Sequence, residues 1–250
     1  MKAIILAAGI GQRLGSHADG RPKCLLEPGG ISLLRRHLHN LRDLAVTEII
    51  IITGYRHDAI QEELTGLQPG FTIQTIFNPD FTNGSIVSLW HARETLYCGD
   101  DIILMDADVL YDKSILQKLI TTDFSNCFLL DREFETGEEP VKLCAFNGRL
   151  VEFRKCIDGK LPFDLQGESV GFFRFSSGMA AKLALRVQEY MDLHRYGEPY
   201  EEAIRDVLLA EPEAFGYEDI TGLPWIEIDF PEDIKRAETE ILTNIKTDPH

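Results

Sequence analysis

Arg13 sits inside a glycine loop, Lys23 follows it behind Pro22, and Asp106, Asp108 and Asp229 stand at the ends of apolar runs further along the chain. The loop closes the stretch KAIILAAGIGQRLG at 2–15, with glycines at 9, 11 and 15. Glycines let backbone N–H groups come close to a chain of phosphates. A guanidinium forks onto phosphate oxygens. An ammonium adds a point charge that follows negative charge as it develops on a phosphoryl group. Asp106 and Asp108 lie two residues apart in LMDADVLYD, so strand alternation puts both on one face.

Two common phosphate grips do not fit this loop. A dinucleotide fingerprint needs G-x-G-x-x-G, and here the last glycine comes one residue late, with Arg13 inside the loop. No acid stands at a ribose-binding strand end about 20 residues on, because Glu27 lies beside Pro28. A Walker loop needs G-K-S/T, which is absent. What is left is a strand, a glycine loop with one arginine, and a lysine behind a proline.

The elements that must position these residues read as an alternation. Continuous apolar runs at 2–8, 47–55 and 100–109 and an alternating run at 71–79 predict strands. Helical spacing at 32–45, 57–67, 85–96 and 113–121 predicts the helices between them. Such an order favours an α/β fold, a Rossmann-like, mostly parallel sheet flanked by helices, with ligands beyond the carboxyl ends of the strands. The second half adds strands at 126–133, 141–155 with a turn at Asn147-Gly148, 168–176 and 224–230, which makes the sheet mixed. Helices follow at 178–194, 200–211 and 231–245, and the tail KTDPH is expected to fray. With no repeat, linker or low-complexity tract, 1–250 reads as a single domain. Its nucleotide half is 1–125, its acceptor half 126–230, and 231–250 is a C-terminal helix and tail.

The 250 residues carry a net charge of −16 and are 44% hydrophobic. That is enough for one sizeable core, and the acidity argues against nucleic acid or an anionic membrane as the main partner. No apolar window approaches the ~18 residues of a membrane span. The five cysteines are widely spaced and odd in number, so reduced thiols and a cytoplasmic setting are expected. The seven histidines show no metal-ligand spacing.

LAAGIGQRLG followed by RPKCLL resembles the signature L-A-A-G-x-G-x-R-(L/M)…P-K-x-L of nucleotidyltransferases that act on sugar phosphates and phospho-alcohols. The resemblance covers most of the chain and implies the nucleotide-diphospho-sugar transferase fold. Arg13 and Lys23 then stand as catalytic residues, and the backbone of Leu6, Ala7, Ala8, Gly9 and Gly11 faces the nucleotide. The family's metal-binding aspartate at a strand end matches Asp108, and a second, just before the final helix, matches Asp229. A Mg²⁺ between them is the implied cofactor, since attack on an α-phosphate needs negative charge neutralised. Asp106 either supports the nucleotide there or is a hydrogen-bonded structural acid. Asp112 and Asp233 read as helix caps or first-turn acids.

NPDFTNGSIVSLWHAR at 78–93 resembles the pyrimidine-side segment of phosphocholine and aminoethylphosphonate cytidylyltransferases. It implies base or ribose contacts by Asn83, Gly84 and Ser85, although an Asn-Gly pair also makes an ordinary turn. The hairpin at 137–155 resembles the one carrying a substrate-side lysine, which assigns Lys142 to the acceptor phosphate. Glu168, Glu201 and Trp225 would supply carboxylates and an aromatic wall for a cationic acceptor; a solvated acid and core packing are the other reading.

The resemblance thus implies a Mg²⁺-dependent cytidylyltransferase: CTP and a small phosphorylated or phosphonate acceptor, phosphocholine-like acceptors first, give a CMP-linked product and pyrophosphate. Alternatives are a UTP- or dTTP-dependent sugar-1-phosphate nucleotidylyltransferase and an inactive paralogue that senses nucleotide. Self-association as a homodimer stays open.

Overall fold

The continuous apolar runs do become strands covered on both faces. In the computed structural model, which describes residues 1–18, 20–67, 70–134, 137 and 140–246, β1 (Lys2–Ala7) is followed by α1 (Leu33–Arg42), β2 (Glu48–Thr53), α2 (His57–Leu64) and β3 (Thr72–Phe77). Then come α3 (Ser85–His91), α4 (Arg93–Leu96), β4 (Ile102–Asp106), β5 (Val109–Tyr111), α5 (Lys113–Thr121) and β6 (Cys127–Asp131). The second half holds β7 (Lys142–Phe146), β8 (Arg149–Arg154), β9 (Leu165–Phe175), α6 (Ser177–Asp192) and α7 (Tyr200–Ala210). It ends with β10 (Gly216–Asp219), β11 (Trp225–Glu227) and α8 (Pro231–Arg236), which runs on into a π-helical turn at Ala237–Ile241.

The main sheet runs β10-β6-β9-β4-β1-β2-β3, with the β7–β8 hairpin attached to β9. β1 pairs in parallel with β2 on one side and β4 on the other, and β2 pairs in parallel with β3. The chain therefore leaves β1 in one direction and returns to β4 in the other. That switch point is where open α/β sheets bind ligands. β9 then pairs antiparallel with both β4 and β6, so the sheet is mixed, as expected.

Several elements differ from the sequence expectation. The run at 100–109 is not one strand: β4 stops at Asp106, and β5 pairs antiparallel with β11 in a separate two-stranded ribbon. The helix expected over 85–96 breaks at Ala92, whose ψ of 0° leaves the helical range. β10 was not expected at all. The turn at Asn147-Gly148 is confirmed, with φ of 52° and 77°, the conformation a two-residue hairpin with right-handed twist requires. Asp112 caps α5 through a bond accepted from the Ser114 N–H at 2.9 Å. The tail at 247–250 lies outside the described residues.

Two apolar clusters cover the two faces of the sheet. A third is small and separate: Leu14, Leu26, Leu33, Leu110, Ile226, Ile228 and Ala237. It ties the glycine loop, the β5–β11 ribbon and the last helix into one block. Among the described residues, no helix is long and apolar enough to cross a membrane.

Gly84 is required by packing. Its N–H donates to the Tyr196 carbonyl at 2.8 Å, and a Cβ there would lie 2.3 Å from the Glu198 carbonyl oxygen. Backbone cannot yield as a flexible side chain does. Gly84→Ala should therefore lower unfolding free energy by about 1–3 kcal/mol, read as a shift of the urea midpoint.

Candidate active site

The glycine loop leaves β1 beside the end of β4. Gly11 has φ of 67°, and a Cβ there would press on the Lys23 side chain at 2.9 Å. The loop thus needs glycine both for its turn and to let the lysine stem pass beneath it. Lys23 begins a short 3₁₀ turn, Lys23–Leu25, anchored by buried Cys24 and Leu25. Its Nζ donates to Asp108 Oδ2 at 2.9 Å and also to Asp229 Oδ1. Arg13 Nη1 donates to Asp229 Oδ2 at 2.9 Å, and its guanidinium lies 5.5 Å from the Phe230 ring centre.

The two aspartates meet because the ribbon joins them. Asp108 lies just before β5 and Asp229 just after β11, and the Ile228 N–H donates to the Asp108 carbonyl at 3.0 Å. Asp233, in the first turn of α8, accepts from the N–H groups of Asp229 at 3.0 Å and Phe230 at 2.7 Å. This is the expected cap, and it also fixes the backbone of Asp229. Glu227 joins the pair: one oxygen from each of Asp108, Glu227 and Asp229 lies within 4.8 Å of the others. Among the described residues, this is the one group of three or more His, Cys, Asp or Glu side chains so disposed.

The charges hold one another. Burial disfavours the Lys23 ammonium, but the carboxylates of Asp108 and Asp229 outweigh it and keep the pKa above the ordinary lysine value. Burial likewise disfavours the Asp229 carboxylate, yet Lys23 and Arg13 hold it below the usual aspartate range. All-oxygen donors are what a small hard divalent cation takes. The Lys23 ammonium already stands between two of them as a cationic substitute, so the residues present fit Mg²⁺.

A cleft of about 520 Å³ opens over this cluster. Leu6, Ala8, Gly9 and Gly11 line it together with Asn83 and Ser85, and with Asp106, Glu201 and Lys155. Ala7 lines a small hollow behind, beside Lys23 and Asp108. Asp106 accepts the Tyr200 hydroxyl at 2.6 Å. Burial and the charge of Asp108 push its carboxyl well above the usual range. It is both a hydrogen-bonded structural acid and part of the cleft.

A second groove, about 370 Å³, shares Glu227 and Asp229 with the cleft and is otherwise lined by Asp131, Glu168, Trp225 and Phe230, among others. Trp225 donates its Nε1–H to Asp131 at 2.7 Å. Glu168 and Trp225 therefore stand together as expected. Glu201 does not join them; it lines the cleft and a smaller cavity that shares Glu227 and Asp229.

Lys142 is a correction. Its Nζ donates to the backbone carbonyls of Gly137 at 2.8 Å, Pro140 at 3.4 Å and Lys155 at 2.8 Å, and it lines neither the cleft nor the groove. It closes the base of the hairpin. The lysine at the site is Lys155, one residue past β8. Sequence reasoning also missed Glu227, although its place two residues before Asp229 on a strand was a usable signal for the same face. Nothing local distinguished Lys155 from Lys142.

A family model described as the MobA-like NTP transferase domain matches residues 3–152. The chain is 27% identical over 242 residues to the CMP-5'-(3-aminopropyl)phosphonate synthase of Streptomyces rubellomurinus, a match covering 95% of this chain but 38% of that protein. It is 25% identical over 256 residues to the CTP:phosphoglutamine cytidylyltransferase of Campylobacter jejuni, covering 94% of this chain and 98% of that one. Among solved structures, the inositol-1-phosphate CTP transferase from T. maritima superposes with a TM-score of 0.73 at 19% identity, over 98% of both chains. That likeness establishes the fold.

Lys23→Ala should leave the three carboxylates mutually repelling. The metal-free variant should lose about 2 kcal/mol of stability, and millimolar Mg²⁺ should raise its melting temperature more than it raises that of the unsubstituted protein. Thermal unfolding with and without Mg²⁺ reads both effects; equal Mg²⁺ responses would show that the ammonium and the metal do not share the site.

Proposed function

Since the chain belongs to the MobA-like NTP transferase family, we propose that it is a Mg²⁺-dependent cytidylyltransferase that joins CMP from CTP to a small phosphate or phosphonate acceptor bearing a cationic group, releasing pyrophosphate. One observation carries the reading. Arg13, Lys23, Asp108, Glu227 and Asp229 converge at one point between a nucleotide-sized cleft and a groove walled by acids and aromatics. The named activities of the two relatives, on a phosphonate and on phosphoglutamine with CTP, support the base and the acceptor class.

The chemistry asks for position and charge more than for a proton carrier. An acceptor oxygen attacks the α-phosphorus in line and pyrophosphate departs. A phosphomonoester's second pKa is about 6, so the attacking oxygen is already anionic near neutrality. The loop N–H groups at Gly9 and Gly11 face the triphosphate. Arg13 releases Asp229 to fork onto phosphate oxygens, and Lys23 follows the charge that gathers on the leaving group. Asp108, Glu227 and Asp229 would hold Mg²⁺, which supplies charge neutralisation at the reacting phosphates. Lys155 stands where it meets the acceptor's phosphate. Asn83 and Ser85 line the end of the cleft that takes base and ribose.

The acids around the cluster explain a cationic acceptor. Asp131, Glu168 and Glu201 cannot favour a neutral sugar's hydroxyls as strongly as they favour an ammonium. The cationic and acidic machinery is complete and assembled, which argues for an active enzyme over a nucleotide sensor.

The direct test is pyrophosphate release from each of CTP, UTP, dTTP, ATP and GTP with Mg²⁺, against phosphocholine, 2-aminoethylphosphonate, inositol-1-phosphate, glycerol phosphate and glucose-1-phosphate. Release is expected with CTP and a cationic acceptor; release with a sugar phosphate and UTP or dTTP overturns the cytidylyl reading. Asp108→Asn and Asp229→Asn should each lower kcat about 100-fold or more, with the unfolding midpoint of each variant within a few degrees of the parent. Near-full activity in both would remove the metal assignment. Lys155→Ala should raise the acceptor KM at least tenfold while Lys142→Ala leaves it near that of the parent.

A further inference from the structure

Beside the acidic cluster, and sharing Glu227 and Asp229 with the Trp225 groove as well, lies a small inner cavity of about 60 Å³. It shares Glu227, Asp229 and Lys155 with the cleft above, so one acceptor can touch the reaction centre and this cavity together. Its deep wall carries Glu201, and Glu201 Oε2 is shielded from solvent with no hydrogen-bond partner among the described residues. Asp106 brings a second carboxyl to the same wall, held by the Tyr200 hydroxyl at 2.6 Å. Gly171 makes room for it: φ there is 77°, and a Cβ would sit 2.2 Å from Asp106 Oδ2.

A buried acceptor without a donor is costly, by about 1–3 kcal/mol. Sites that leave one poised in a ligand cavity are satisfied by the ligand. We propose, resting on the cytidylyltransferase reading, that the inner cavity selects the acceptor's head group, and that it takes a primary ammonium in preference to a trimethylammonium. The orphaned Glu201 oxygen asks for an N–H. A primary ammonium offers three; a trimethylammonium offers none and presents methyl groups to a carboxylate. The cavity cannot widen to suit the bulkier group, because Phe153 and Phe173 on its apolar side are 1% and 0% exposed and packed into the core. A site built to hydrogen-bond its substrate discriminates strongly against an analogue that lacks the donor. This preference runs against the phosphocholine-like acceptors that the sequence resemblance puts first.

The test is a methylation series. Phosphoethanolamine, its N-methyl and N,N-dimethyl forms and phosphocholine are compared as acceptors with CTP and Mg²⁺, for the parent and for Glu201→Gln, alongside calorimetric binding of the first and last to both proteins. In the parent, kcat/KM should fall with each methyl, by about 100-fold across the series. In Glu201→Gln, folded by its melting temperature, the span should shrink to within about threefold. Phosphocholine turned over as well as phosphoethanolamine by the parent overturns the proposal, as does a span that Glu201→Gln leaves intact. If no acceptor yields pyrophosphate, the cytidylyltransferase reading fails and binding decides this one. Tighter binding of phosphoethanolamine that is lost in Glu201→Gln upholds the amine site; equal or absent binding ends it.

Discussion

The site depends on one ammonium held between two carboxylates. Lys23 bridges Asp108 and Asp229, and Arg13 reinforces the second. Two carboxylates about 4 Å apart repel by roughly 4 kcal/mol at an effective dielectric of 20, and Glu227 adds a third to the same point. Such a cluster stays together only around positive charge. In the protein alone that charge belongs to Lys23. On the proposed reading, a divalent cation held by the same carboxylates would free the lysine for the phosphates.

That arrangement requires the two carboxylates to be delivered by rigid backbone. The β5–β11 ribbon does this: its strands are antiparallel, so Asp108 before β5 and Asp229 after β11 lie at the same end, which the Ile228–Asp108 backbone bond closes. The third apolar cluster locks the ribbon to the glycine loop through Leu14, Leu26 and Leu110. Asp233 then fixes the Asp229 backbone from within the first turn of α8. Arg13 and Lys23 are thus each followed in the chain by a buried residue, Leu14 and Cys24. This is how a site made partly of loops keeps its geometry.

On the acceptor side, burial and charge divide the work between two places. The outer groove has aromatic walls and acids whose partners are already assigned, as Trp225 and Asp131 show. The inner cavity has an acceptor atom with no partner among the described residues, and walls of packed phenylalanine. A wide, acid-lined groove tolerates cations of many shapes. A tight cavity with an unsatisfied oxygen demands a particular donor. On the proposed reading, specificity within one reaction class would rest on Glu201 more than on the net charge of −16 carried by the chain.

What the sequence by itself determined is local. Apolar runs set the parallel strands, because a strand covered on both faces needs them. Helical spacing set the layers around them, and the loop string set Arg13, Lys23, Asp108 and Asp229 through its family resemblance. The tertiary structure decided what depends on pairing between distant segments. The short ribbon that takes Val109–Tyr111 out of the main sheet exists only because Trp225–Glu227 arrives to pair with it. Lys142 and Lys155 lie in one hairpin with the same local chemistry. The register of that hairpin, with its shift between Cys144 and Ala145, sends one to backbone carbonyls and the other to the cleft, since a single step along a strand changes face. Gly84 looked like a turn or a contact until the backbone at 196–198 packed on it. Glu201 stands beside a tight cavity only because Phe153 and Phe173, distant in sequence, line it too. Periodicity is written along the chain, but which side chain is left facing an empty donor position is decided by what folds against it from elsewhere.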